Sequence, residues 1–336
     1  MSLSVGVDVG GSKIAACAVD AAGRVVLRAR RETPAQDVDA IVSTVADLVT
    51  ELGQTADRGG DRVASVGVAC AGFIDAAGST VLFAPNLAWR DEPLQARLQE
   101  MTGLPVVLEN DANAAAWGEF RFGAAEAVDD MLLITLGTGV GGGIISEHQV
   151  LRGAHGIAAE VGHLRVVPDG RRCGCGNRGC WEQYASGSAL EREAREMVRA
   201  GSPHAAELAE RCGGDADRLE GRMVTEAAQG GDRASTELLE DLGRWLGEGV
   251  ASLVAVLDPR LIVVGGGVSS AGELVLGPAR AAFARQLTGR GHRPVPEMVP
   301  ATLGNDAGMI GSADLATSRR GPTARPTERD RSPEWT

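Results

Sequence analysis

The chain has 336 residues, of which 44% are hydrophobic but only 3% aromatic, and a formal charge of -12. That length predicts about two domains, with cores filled by Ala, Val and Leu. The negative charge disfavours nucleic acid as a partner, because such binding draws on a basic surface. No apolar run approaches the ~20 residues that span a bilayer. The first run, Val5 to Val9, is too short for a signal-peptide core and leads straight into GGSK. A soluble, cytoplasmic protein with no membrane partner is expected.

In chain order, residues 4–19, SVGVDVGGSKIAACAV, read as a strand, a Gly-Gly turn and a second strand. Residues 104–120, LPVVLENDANAAAWGEF, read as a strand through Leu108 followed by an Ala-rich helix from near Asp111. Asn110 and Asp111 then stand at the carboxyl end of a strand, where α/β folds place their clefts. Asp111 suits two roles: the N-cap of the helix, or an ionised base for an attacking hydroxyl, its charge favoured by the helix N-terminus. The two roles are compatible. Residues 131–146, MLLITLGTGVGGGIIS, repeat the opening hairpin with a longer Gly-rich turn. Two such hairpins suggest an internal duplication, each copy opening one α/β domain. Facing glycine turns can hold a polyphosphate, since glycine lets N–H groups approach phosphate oxygens closely. Hairpin turns also use glycine for φ > 0 without binding anything.

Residues 163–182, HLRVVPDGRRCGCGNRGCWE, carry three of the six cysteines. In a reducing compartment such a cluster reads as a metal site. Gly174, Gly176 and Gly179 let the backbone turn Cys173, Cys175 and Cys180 inward, and His163 supplies a fourth ligand. Three thiolates and an imidazole make a closed, tetrahedral zinc site of the structural type. One disulfide with a spare thiol is the competing reading. If His163 gives one ring nitrogen to zinc, the other remains for hydrogen bonding. Glu160 and Glu182 flank these ligands in sequence, and on their own they read as solvated surface charge.

Residues 189–230 are expected to have a packing role only. Residues 234–258 have helical spacing ended by Pro259, and RLIVVGGGVSS then reads as a buried strand running into Gly265, Gly266 and Gly267 before a helix from about Glu273. Strand, glycines and helix in that order can bind a nucleotide at the strand's end, or be an ordinary turn. The segment matches neither GxGxxG nor GxxxxGK[ST]. The last residues, SRRGPTARPTERDRSPEWT, are rich in Pro and charge and predict a disordered tail over 318–336.

Taken together, DVGGSK at 8–13, ENDANAAAWGE at 109–119, LGTGVGGGI at 136–144, EVGH at 160–163 and CGCGNRGCWE at 173–182 resemble the ROK family, more narrowly its bacterial ATP-dependent glucokinases. The resemblance runs from Val5 to about Ala316. It implies an actin-like, hexokinase-type ATPase fold: two α/β domains flanking a cleft, with a zinc-binding loop. The domains would be 1–121, joined by a returning helix at about 304–317, and 122–303. It also implies homodimers or homotetramers and phosphorylation of glucose at the 6-hydroxyl by ATP with Mg2+. Asp111 would be the base, with Gly72, Asn110, Glu160, His163 and Glu182 on the sugar. Asp8, near magnesium, Gly10, Gly11, Ser12, Lys13, Thr138, Gly139 and Gly265 to Gly267 would surround ATP. Zinc would be held by His163, Cys173, Cys175 and Cys180.

Relatives with similar zinc loops take N-acetylglucosamine, N-acetylmannosamine or mannose, so another hexose is the runner-up substrate. Sugar-responsive repressors of the family add an N-terminal DNA-binding module, for which a hairpin starting at residue 4 leaves no room; a non-catalytic sensor need not keep Asp111. Ser12 replaces a common Thr, and Ala159 stands where Gly is frequent.

Overall fold

The computed structural model describes residues 1–318. The opening hairpin is β1 (Ser2–Val9) and β2 (Lys13–Val19), widened by β3 (Val25–Glu32). Helix α1 (Val38–Arg58) follows, capped by Asp37, whose carboxylate accepts the Ala40 N–H at 3.0 Å. Its buried Ile41, Val45, Leu48, Val49 and Leu52 repeat at helical spacing. Each such side chain contributes ~1.5–3 kcal/mol against about 1 kcal/mol for the cap, so packing on the sheet decides where α1 lies.

Next come β4 (Arg62–Cys70) and a small antiparallel sheet of β5 (Phe73–Ile74), β6 (Val81–Phe83) and β7 (Arg90–Glu92). Helix α2 (Leu94–Thr102), β8 (Val106–Asn110) and α3 (Asp111–Phe122) complete the first lobe's continuous chain. Its main sheet runs in the order β3-β2-β1-β4-β8, with β1, β4 and β8 parallel.

The second lobe starts with β9 (Met131–Leu136), β10 (Val140–Ser146) and β11 (Gln149–Val150). A helical excursion follows: α4 (Glu182–Ala185), α5 (Gly187–Arg199), α6 (Ala206–Arg211), α7 (Gly221–Gln229) and α8 (Arg233–Leu257). Asp258 ends α8 in a left-handed conformation, φ 45°, before Pro259. Then come β12 (Leu261–Gly265), α9 (Glu273–Gln286) and β13 (Glu297–Pro300). The sheet order β11-β10-β9-β12-β13 repeats that of the first lobe, strand direction for strand direction, which is what the two similar hairpins predict. Leu190, Ala194, Leu208 and Val224 of α5 to α7 enter one core with Leu132, Ile134 and Leu136 of β9.

Helix α10 (Ala307–Ser318) returns to the first lobe and packs on β1, β4 and α3. Gly6 and Gly67 make the approach possible. A Cβ on Gly6 would stand 1.8 Å from the Met309 carbonyl oxygen, and one on Gly67 1.8 Å from that of Ser312. Ser318, the first residue of the expected tail, belongs to this helix; the rest of that tail, 319–336, lies outside the described residues. Among the described residues no helix is long and apolar enough to cross a membrane.

Candidate active site

Strand register places Asp8 beside Ala69, Val9 beside Cys70, and Cys70 beside Asn110, so the carboxyl ends of β1, β4 and β8 form one edge. In the other lobe Thr135 pairs with Gly265 at the corresponding ends of β9 and β12. Ligands of open α/β sheets bind at such edges. Between the two lies a cavity of about 280 Å³ whose lining includes Asp8, Asp111, Thr135, Gly265, Gly266, Ser269 and Asn305.

Asn110, not Asp111, caps α3. Its Oδ1 accepts the N–H groups of Ala112 at 3.0 Å and Asn113 at 3.1 Å, so the capping role considered for Asp111 belongs to its neighbour. Asp111 becomes the first helical residue, half-buried in the cavity, its Oδ1 accepting one bond from Asn110 Nδ2 at 3.1 Å. The same Nδ2 donates to the Gly72 carbonyl at 3.3 Å. Burial pushes the Asp111 pKa above the usual 3.8, opposed by hydrogen bonds from the Ala112 N–H, its own N–H and Asn110. Asp8 is pushed from 3.8 to about 6, first by burial and then by the charge of Asp111, with Lys13 pulling it down.

The glycine turns stand at the strand ends around this floor. Gly10 donates to the Lys13 carbonyl at 3.0 Å, and Thr33 ties the turn down through Gly10 and Ser12; Gly11 and Ser12 are exposed. In the second hairpin Gly137 donates to the Gly139 carbonyl, and Thr138 is exposed at the tip. Gly266 (φ 86°) lies against Leu136. Gly267 opens a 3₁₀ turn through Ala271 instead of leading directly to α9. Of the residues predicted around ATP, Asp8, Gly265 and Gly266 line the cavity; Gly10, Gly11, Ser12, Lys13, Thr138, Gly139 and Gly267 sit on the turns outside its lining. Sequence reasoning missed Thr135, Ser269 and Asn305. Ser269 lies four residues past Gly265 in GGGVSS and was within reach; Asn305 enters from the distant approach to α10.

The metal-type cluster is compact. One ligand atom each from His163, Cys173, Cys175 and Cys180 lies within 4.8 Å of the others. Cys175 Sγ is 3.6 Å from Cys180 Sγ, and Cys173 Sγ is 3.6 Å from His163 Nδ1. A tetrahedron with Zn–S bonds of about 2.3 Å has edges of about 3.8 Å, whereas a disulfide needs S–S contact near 2.05 Å. The donor set fits zinc, and all six cysteines are free thiols. With Nδ1 facing the thiols, His163 keeps Nε2 for another partner. Glu182 Oε1 lies 3.0 Å from Cys173 Sγ, and its Oε2 would be 2.8 Å from a Cβ on Gly139; the loop thus abuts the second glycine turn. Glu160 is exposed and outside the cavity's lining. Desolvation raises its pKa, His163 lowers it, and Asp111 and Glu182 raise it further. Trp181, overlooked in the sequence, is fully buried and donates to the Trp245 carbonyl at 2.9 Å, anchoring the loop in α8.

Two duplicated lobes with an acidic floor at facing strand ends make this an actin-like ATPase fold, shared with solved sugar-kinase structures. The profile of the ROK family matches residues 4–319, and the chain belongs to that family. It is 46% identical over 317 residues to the glucokinase of Streptomyces coelicolor, covering 94% of this chain and 98% of that one. The crystal structure of a ROK family glucokinase from Streptomyces griseus in complex with glucose and AMPPNP superposes with a TM-score of 0.85 at 48% identity, covering 94% and 99% of the two chains. The ROK hexokinase from Thermus thermophilus gives 0.77 at 35% identity, with 94% and 98% covered.

Proposed function

We propose that this protein is an ATP-dependent glucokinase that forms glucose 6-phosphate and ADP. The observation that carries the reading is the division of labour at the start of α3: Asn110 does the capping, leaving the Asp111 carboxylate in the cavity with a single side-chain donor. That leaves an acceptor for a hydroxyl proton, in a chain nearly half identical to glucokinases over almost its whole length.

Phosphoryl transfer asks mainly for positioning and charge stabilisation. Asp111 takes the proton of the 6-hydroxyl while that oxygen bonds to the γ-phosphorus; the bond to the bridging oxygen breaks and its electrons leave with ADP. Asn110 and Gly72 hold Asp111 in orientation and border the sugar. Glu160, His163 through Nε2, and Glu182 accept or donate to the other hydroxyls. Each acidic contact contributes about 1.5–3 kcal/mol, so an epimer leaving one unpaired is rejected on the order of 10- to 100-fold. The turns at Gly10 to Lys13, Thr138–Gly139 and Gly265 to Gly267 offer N–H groups, and Lys13 a cation, to the phosphates.

Asp8 and Asp111, two carboxylates raised by shared burial, fit a divalent cation near Asp8. Mg2+ bound there would neutralise charge developing between the β- and γ-phosphates. Zinc on His163, Cys173, Cys175 and Cys180 would supply rigidity, fixing the wall that carries Glu182. Cytoplasmic location and a homodimer or homotetramer belong to the same proposal, the assembly resting on the family resemblance.

The test is a sugar panel. Purified protein with ATP and magnesium should release ADP fastest with glucose. Higher kcat/KM on N-acetylglucosamine, N-acetylmannosamine or mannose would reassign the substrate, and no sugar-dependent ADP release would leave a sensor in place of an enzyme.

A further inference from the structure

The structure ties the two lobes together where the residue that opens the 109–119 motif meets a partner outside any motif. Glu109, next to Asn110 on β8, is buried, and Arg152 of the other lobe reaches its Oε2 through Nε at 2.7 Å and Nη2 at 2.5 Å. The other oxygen, Oε1, accepts from Asn113 Nδ2 and the Asn110 N–H, both at 3.2 Å. One carboxylate thus faces the start of α3 on one side and the second lobe on the other.

Arg152 also opens the loop that ends at Glu160. Its carbonyl accepts the Ala158 N–H at 3.1 Å, closing the neck of that loop two residues before Glu160. The tip leans on the first lobe: Gly156, at φ 86°, lies so close to β5 that a Cβ would be 2.2 Å from the Ile74 carbonyl oxygen. The loop is therefore pinned to the first lobe at two places, by its tip and by the guanidinium at its neck.

We propose that Arg152 is a positioning residue for phosphoryl transfer, its ion pair with Glu109 holding the Glu160 loop in one frame with the strand end that presents Asn110 and Asp111. The inference rests on the sugar-kinase reading of this cleft. A buried ion pair is often no more stabilising than an apolar pair of similar volume. What charge-assisted bonds supply is direction, and the direction here runs from the base to a sugar-facing carboxylate.

The experiment compares Arg152→Met, Arg152→Lys and the double variant Glu109→Gln/Arg152→Met by melting midpoint, kcat, and KM for glucose and for ATP. A displacement of about 1 Å in such a frame costs about 10²-fold. The expected result is a loss of that order in kcat/KM for glucose in Arg152→Met, with KM for ATP unchanged and partial rescue by Lys. The double variant, which also removes the Glu109 charge, should regain the melting midpoint but not the glucose KM. If Arg152→Met does not fold, the other two variants carry the test. A double variant with wild-type stability and wild-type glucose kinetics overturns the proposal, as does a Lys variant no better than Met. Wild-type protein that turns over no sugar would instead refute the kinase reading, so the two failures are distinguishable.

Discussion

Asp8→Asn is expected to stabilise the protein while removing its activity. In the fold Asp8 titrates near 6 in place of 3.8, chiefly because burial penalises its charge and Asp111 repels it. A tenfold change in proton affinity is worth about 1.4 kcal/mol, so the ionised carboxylate costs up to about 3 kcal/mol, an upper bound given the cavity's access to water. The folded state binds this proton more tightly than the unfolded state, so stability from this group falls as pH rises from about 3.8 through about 6. Asn carries no such penalty. Unfolding free energies of the two proteins from urea titration, free of nucleotide and magnesium, should differ by up to about 3 kcal/mol near pH 8 and by roughly half that near pH 5. An equal difference at both pH values, or none near pH 8, would refute the electrostatic argument. Loss of ADP release in the variant would connect the strain to the work of the site.

Three other outcomes are expected. Asp111→Asn should retain glucose binding by calorimetry while kcat falls by roughly 10² to 10⁴; near-normal turnover would remove Asp111 as the base. Cys175→Ala should lower zinc content by metal analysis, together with melting temperature and activity, since structural zinc binding is also folding free energy; full activity without metal would exclude the supporting role. Ala159 adopts φ 71°, a left-handed conformation that costs a non-glycine residue about 1–2 kcal/mol. Ala159→Gly should therefore stabilise by up to about 1 kcal/mol after glycine's larger unfolded-state entropy is set against that relief, and a lower melting temperature would contradict it.

What could be read from the sequence was local. The strand–glycine–strand plan shows in a dozen residues, and its recurrence points to the duplicated lobes now seen as two sheets of one strand order. Cysteines spaced by glycines announce the compact cluster of His163, Cys173, Cys175 and Cys180 because residue type and spacing are chemical facts of the chain itself. Sequence leaves the cap of α3 open by one residue because Asn and Asp cap equally well, and only the position where β8 ends decides between Asn110 and Asp111. The link between Glu109 and Arg152 spans 43 positions, and the Trp181 anchor in α8 spans 64. The far partners, Arg152 and Trp245, lie outside every motif, since each is chosen by how the lobes pack. In the sequence the strain at Ala159 shows only as an unusual residue type, because its φ of 71° is set by the fold.

The return of α10 has a consequence for biosynthesis. The strands it covers emerge from the ribosome early, but at roughly 5 to 20 residues per second the helix follows about ten to forty seconds after α3. Until then the groove over Gly6 and Gly67 has nothing to fill it, and the second lobe can mature while its elder twin waits. A product stalled or clipped ahead of Ala307 would keep that apolar face open, making it a natural client for chaperones and proteases.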